Sequence, residues 1–167
     1  MSSYLNIYGR VNTDLYKIER IKDTNYQKQG DVILFDSYSR NNKIYQIMRD
    51  SVNISWAGDE EKYTTLTEEN MNYCIDECNR LISNYRSMQQ RDEKKKQEYL
   101  SYLHNLPKVI NYEEFLNSIE DFDNNEELEE EIKECEQCLS QLLFIKDLVT
   151  TSSMGFNGFK EILCNID

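Results

Sequence analysis

Proline occurs once, at Pro107, histidine once, at His104, and glycine five times in a chain of 167 residues. So little glycine leaves no phosphate-cradling loop, and one histidine cannot build a His-ligated catalytic metal or a nucleophile–base pair of the usual kind. Few turn-forming residues also argue against an all-β architecture of many short strands. No run approaches the roughly 18 apolar residues of a membrane span. The N-terminal MSSYLNIYGR lacks the basic and apolar segments of a signal peptide, so a soluble, intracellular protein with no membrane partner is expected. Basic surplus is missing too: 19 Lys and Arg face 31 Asp and Glu, a formal charge of -12. Such a surface repels phosphate backbones, and direct nucleic-acid binding is not expected.

The acidity is local. Residues 1 to 66 carry 9 acids and 9 bases, and residues 67 to 112 carry 7 and 7. The block Glu113, Glu114, Glu120, Asp121, Asp123, Glu126, Glu127, Glu129, Glu130 and Glu131 contains no base. Tyrosine is segregated in the opposite sense, all 12 falling between Tyr4 and Tyr112. That partition predicts a tyrosine-rich sheet first and a leucine-rich helical part later.

The segments Tyr4–Tyr8 and Leu15–Ile21 have the β-branched and aromatic composition of strands, joined through a polar connection from Gly9 to Asp14. Asp31–Phe35 reads as a buried central strand, and Arg40–Met48 as a short helix, with a strand turning through Asn41-Asn42 as the alternative. Thr65 followed by Glu68, and Thr67 followed by Glu68 and Glu69, mark the start of a long helix. Its seam is Met71, Cys74, Cys78, Leu81, Tyr85 and Met88, weakening over the polar stretch 89–98 and ending at Pro107. A short helix over 112–122 follows. A longer one over 125–149 carries a stripe of Leu128, Ile132, Cys135, Leu139, Leu142 and Val149 that needs the first seam as antiparallel partner. A flexible connector over 150–158 leads to a final strand, 159–166. The expected fold is α+β: a small N-terminal antiparallel sheet completed by a C-terminal strand, with a long antiparallel helical hairpin inserted. In domain terms, residues 1–66 with 155–167 form the sheet module, and 67–154 form the hairpin with its acidic segment 113–131.

Cysteine admits two readings. Cys74, Cys78, Cys135 and Cys138 could supply four thiolates to zinc, but three of them sit on helical seams where a small apolar residue is expected. No metal and no cofactor is therefore assigned. Asp121-x-Asp123-x-Asn125 begins like a calcium loop but has Glu126 where glycine is needed and Ile132 where a bidentate glutamate is needed. His104 stands alone near a helix end, and Trp56 with Tyr63, like Tyr38 with Tyr45, suits packing better than base stacking. No catalytic residue emerges. The remaining candidates are the acids Glu113, Glu114, Glu120, Asp121, Asp123, Glu126, Glu127, Glu130 and Glu131, as a partner-binding surface. Internal neutralisation competes with that role, since an antiparallel register sets Arg91 opposite Glu126, Arg86 opposite Glu131, and Lys94 to Lys96 beside Asp121 and Asp123.

The segments SSYLNIY, SYSRNNKIYQIM and GDEEKYTTLT, with their Asn/Lys/Ile/Tyr bias, resemble small acidic bacteriophage proteins over about the first 70 residues. Size, acidity and absence of catalytic residues are similar at class level to phage inhibitors of host defence, including anti-CRISPR proteins. The resemblance brings no activity with it; the class-level similarity implies a non-enzymatic inhibitor in the cytoplasm of a bacterial host, binding a defence protein or ribonucleoprotein such as a nucleic-acid-guided nuclease. The alternative is an assembly protein that forms a homodimer or larger oligomer through its hairpin.

Overall fold

A computed structural model describes residues 2–12, 32–56, 62–104 and 125–167. Among them run β1 (Tyr4–Val11), β2 (Val32–Ser39), α1 (Lys43–Ser51), β3 (Thr64–Thr65), α2 (Glu68–His104), α3 (Asn125–Ser153) and β4 (Phe159–Ile166). The fold is α+β, a four-stranded antiparallel sheet in the order β2-β1-β4-β3, with the α2–α3 pair inserted between β3 and β4. The chain forms two compact units, one of residues 1–78 and 138–167 and the other of residues 79–137. No helix among the described residues is long and apolar enough to cross a membrane.

In the first unit, strand alternation sorts the side chains. Leu5, Ile7 and Gly9 of β1 stand opposite Ile166, Cys164 and Ile162 of β4, giving one apolar face. Asn6, Tyr8 and Arg10 stand opposite Asn165, Leu163 and Glu161, giving a mixed face. On that face Ser37 Oγ donates to Asn6 Oδ1 at 2.7 Å, and Asn6 Nδ2 donates to Asn165 Oδ1 at 3.3 Å. Arg10 pairs with Glu161 at 2.7 Å, and Tyr8, Val32 and Leu163 cluster with Tyr63, whose ring meets Tyr8 edge-on at 5.2 Å. Among the described residues no buried side-chain nitrogen or oxygen lacks a hydrogen-bond partner, as burial of polar atoms requires.

Several expectations change here. Gly9 lies inside β1 rather than opening a turn. A Cβ there would come within 2.5 Å of Phe35 Cε2 and 2.6 Å of Phe159 Cδ1, so glycine makes room for the Phe35–Phe159 edge contact, centroids 4.8 Å apart. The apolar run 32–35 belongs to an edge strand, β1 and β4 being central. A bulge between Ile7 and Tyr8 shifts its register, so Leu34 and Val32 join the Tyr8 face. The strand expected at 15–21 and the helix at 112–122 lie outside the described residues.

Helix α2 is capped by Thr67, whose Oγ1 accepts the Asn70 amide at 3.1 Å, a device worth about 1 kcal/mol. Thr65, the alternative cap, lies in β3 and bonds Glu161. The polar stretch 89–98 is continuous helix. Burial in α2 falls on Met71, Cys74, Cys78 and Ile82, while Leu81 and Tyr85 are half-buried and Met88 is 47% exposed. A helix of 3.6 residues per turn drifts off a strict 3.5 repeat, which carries the buried line from position 81 to 82. The same drift in α3 buries Cys138, Leu142 and Ile145 and leaves Leu139 half-buried.

The connector before β4 is not the loose link its composition predicts. Helix α3 continues to Ser153, and Gly155 and Gly158 take φ of 77° and 76°, the left-handed geometry that closes a helix end. Asn157 Nδ2 donates to Leu148 O at 3.0 Å and its Oδ1 accepts the Phe159 amide at 3.1 Å, fixing the turn.

Candidate functional site

Carboxylates mark both flanks of α3 in the unit 79–137. Its buried line there is Ile132 and Cys135, with Leu128 half-buried. On one flank Arg86 Nη2 reaches Glu136 Oε1 at 3.0 Å and Gln89 Nε2 reaches Glu129 Oε1 at 3.2 Å. The helices are thus antiparallel, but Arg86 pairs with Glu136 rather than Glu131, about one and a half turns further than expected. Ile132 is buried, and Glu131 lies on the other flank.

That other flank holds Glu127, Glu130, Glu131 and Glu134, spaced i, i+3, i+4 and i+7, which is one helical face. With Leu128 and with Met88 and Asp92 of α2 they line a groove of about 400 Å³. Five of its seven described lining residues are acids and none of those seven is a base. Like charges at i, i+4, such as Glu127 with Glu131 and Glu130 with Glu134, cost a helix roughly 0.2–0.5 kcal/mol each. The N-terminal end of the helix dipole favours only the first turn, Glu126 and Glu127. Arg91 and Glu126, expected to face each other, are both exposed.

Of the nine expected partner-binding acids, Glu113, Glu114, Glu120, Asp121 and Asp123 lie outside the described residues. Glu127, Glu130 and Glu131 come together in the groove, with Glu126 exposed one turn earlier in the helix. Asp92, Glu134 and Met88 were missed as site residues. Glu134 was readable as the i+7 member of the stripe, whereas Met88 had been assigned to the seam and Asp92 to a featureless polar stretch. The calcium-like start at 121–125 falls outside the described residues, and its twelfth position, Ile132, is buried core.

The cysteines occupy core positions. All five are free and buried, and no group of three or more potential metal ligands occurs among the described residues. In the first unit burial pushes the Cys74 thiol up to about 11, moderated by its hydrogen bond to Ser51, and pushes Cys164 up to about 12. Cys78 goes the other way, because the Cys138 side chain hydrogen-bonds it and the Lys43 ammonium favours its thiolate, outweighing burial. Tyr38 is raised by burial and by Asp36, and Tyr45 bonds Ser3 at 2.8 Å, so this pair packs as expected. Trp56 is 62% exposed, bridging to Ile166 through its backbone, while Tyr63 joins the Tyr8 cluster. His104 is exposed at the last position of α2.

No protein-family model, curated protein or solved structure matches this chain.

Proposed function

We propose that this chain is a non-enzymatic protein-binding inhibitor, phage-encoded and acting in the bacterial cytoplasm, that covers a basic surface of a nucleic-acid-guided defence nuclease. The observation that carries the reading is the groove of Asp92, Glu127, Glu130, Glu131 and Glu134, in which carboxylates gather along one flank of a helix pair. Rows of carboxylates on helical rungs resemble a phosphate strand to a basic channel, and complementary potentials accelerate and orient such encounters. The choice of a defence nuclease rests on the class-level similarity in size, acidity and lack of catalytic residues to phage inhibitors of host defence.

The test is a quadruple reversal, Glu126→Lys, Glu127→Lys, Glu130→Lys and Glu131→Lys, in a tagged chain used to capture partners from nuclease-treated bacterial lysate. Recovery of a nucleic-acid-handling protein by the parent and its loss in the variant, with helical circular dichroism unchanged, is the expected result. Equal recovery by the variant overturns the mimicry.

A second reading, homo-oligomeric assembly through the hairpin, is favoured by Leu143 and Phe144, exposed side by side on α3 in the first unit. It requires a mass that rises with concentration in light scattering, and a constant monomer mass across the micromolar range removes it.

A further inference from the structure

We propose that Cys78 of α2 and Cys138 of α3 form a redox modification site, a pair of thiols that hydrogen peroxide joins into a reversible disulfide between the two helices. The site is separate from the acidic flank of α3 and does not rest on the inhibitor reading.

Geometry comes first. Both residues belong to the sheet-based unit, where Cys78 is 0% and Cys138 1% exposed, and the Cys138 side chain hydrogen-bonds that of Cys78. Disulfide sulfurs sit about 2 Å apart, so thiols already in hydrogen-bond contact have only the remaining gap to close. Reactivity then separates this pair from the other thiols of the unit. The Cys138 contact and the ammonium of Lys43, at the start of α1, favour the Cys78 thiolate against the effect of burial. Cys74 lies close enough to raise Cys164 further, but burial holds both protonated, at about 11 and about 12. Thiolate, not thiol, attacks an oxidant, so Cys78 is the nucleophile and Cys138 the resolving partner.

Peroxide is the one co-reactant. The Cys78 sulfur attacks one peroxide oxygen, the O–O bond breaks, and hydroxide leaves to take up the proton that Cys78 released on ionising. The Cys138 sulfur attacks the resulting sulfenic acid, the S–O bond breaks, and water leaves with the Cys138 proton. The two sulfurs lose two electrons and the peroxide gains them, giving a disulfide and two waters. Peroxide is close to water in size and reaches a buried pair through small local openings that shut out bulkier thiols such as glutathione. Cys78 is the last residue of its unit before the segment 79–137 and Cys138 the first after it, so the bond closes that segment into a covalent loop. Long loops are where a cross-link restricts the unfolded chain most.

The test exposes the reduced full chain to excess hydrogen peroxide and maps its disulfides by mass spectrometry. Cleavage after Glu77 separates Cys74 from Cys78, and cleavage after Glu136 separates Cys135 from Cys138, so a Glu-specific protease with trypsin resolves every pairing. The Cys78–Cys138 link should exceed any other cysteine pair by roughly tenfold or more. Oxidation should raise the melting temperature, and dithiothreitol, which reduces disulfides but not methionine sulfoxide, should return it to the starting value. In Cys138→Ser, dimedone should trap a sulfenic acid on Cys78, whereas in Cys78→Ser it should leave Cys138 unlabelled. The map of the parent chain needs neither variant to fold. Five thiols still titratable after peroxide, or a dominant link through any other cysteine, overturns the site. A melting temperature unchanged by oxidation overturns the clasp between the helices, and dimedone on Cys138 rather than Cys78 overturns the assignment of nucleophile.

Discussion

In the sheet-based unit, side chains from every described strand and helix except the two-residue β3 are buried, among them Leu5, Ile7, Ile44, Met48, Met71, Leu142 and Ile162. In the unit 79–137 the buried described side chains are Ile82, Ile132 and Cys135. Arg86–Glu136 and Gln89–Glu129 on its surface are exposed contacts, worth a few tenths of a kcal/mol each. Long helices in water draw most of their stability from packed apolar faces, so the second unit stands near the low end of local stability. The acidic groove thus lies in the unit whose described side chains are the less buried.

The largest test of this contrast lies in the cores. Leu142→Ala should cost about 3 kcal/mol and lower the melting temperature of the sheet. Ile132→Ala should cost about 2 kcal/mol and appear chiefly as faster amide exchange over 79–104. If Ile132→Ala exposes the β1 and β4 amides equally, the two units melt as one and the contrast fails.

Next in size, Gly9→Ala should lose about 2 kcal/mol, because the added methyl must displace the Phe35–Phe159 pair. A Phe35→Leu background should recover part of that loss in denaturant titrations.

A smaller effect follows from the thiols. Cys164 rises from an ordinary 9.0 to about 12 on folding, so the folded state keeps its proton where the unfolded chain gives it up. That contribution is fully present below pH 9 and is lost as pH climbs toward 12. Between pH 8 and pH 10 the sheet unit should lose roughly 1 kcal/mol from this group, and Cys164→Ala should flatten the slope in melts followed by circular dichroism. The smallest effect sits in the other unit. Glu130→Gln should slow exchange over 127–134 by a few tenths of a kcal/mol, an advantage that vanishes in high salt.

The residues made parts of this architecture legible and hid others. Strands Tyr4–Tyr8 and Phe159–Ile166 and both long helices were readable because burial imposes period 2 or 3.6 on their apolar residues. The edge position of Val32–Ser39 was not, because a bulge moves side chains between faces without altering composition. Gly9 misled for a related reason: glycine at a close aromatic approach looks like glycine at a turn. In the site, the stripe Glu127, Glu130, Glu131 and Glu134 was present in the spacing. Its opposite wall, Met88 and Asp92, depends on how far α2 drifts from a 3.5 repeat, and a few degrees per turn decide which side chain reaches the groove.

The place of β4 in the sheet carries a consequence for how the chain is born. Tyr4 and Asp167 exchange backbone hydrogen bonds at 3.2 and 3.1 Å, and β4 lies at the centre of the sheet between β1 and β3. On a ribosome, β1 emerges early and must wait, one edge open, until residues 159–166 have cleared the tunnel. The helices can wind on their own as they appear, but the sheet closes only in a later step that joins segments far apart in the sequence. A stalled or prematurely ended nascent chain would therefore carry a finished helix pair beside an unsealed strand, an invitation to chaperones and proteases.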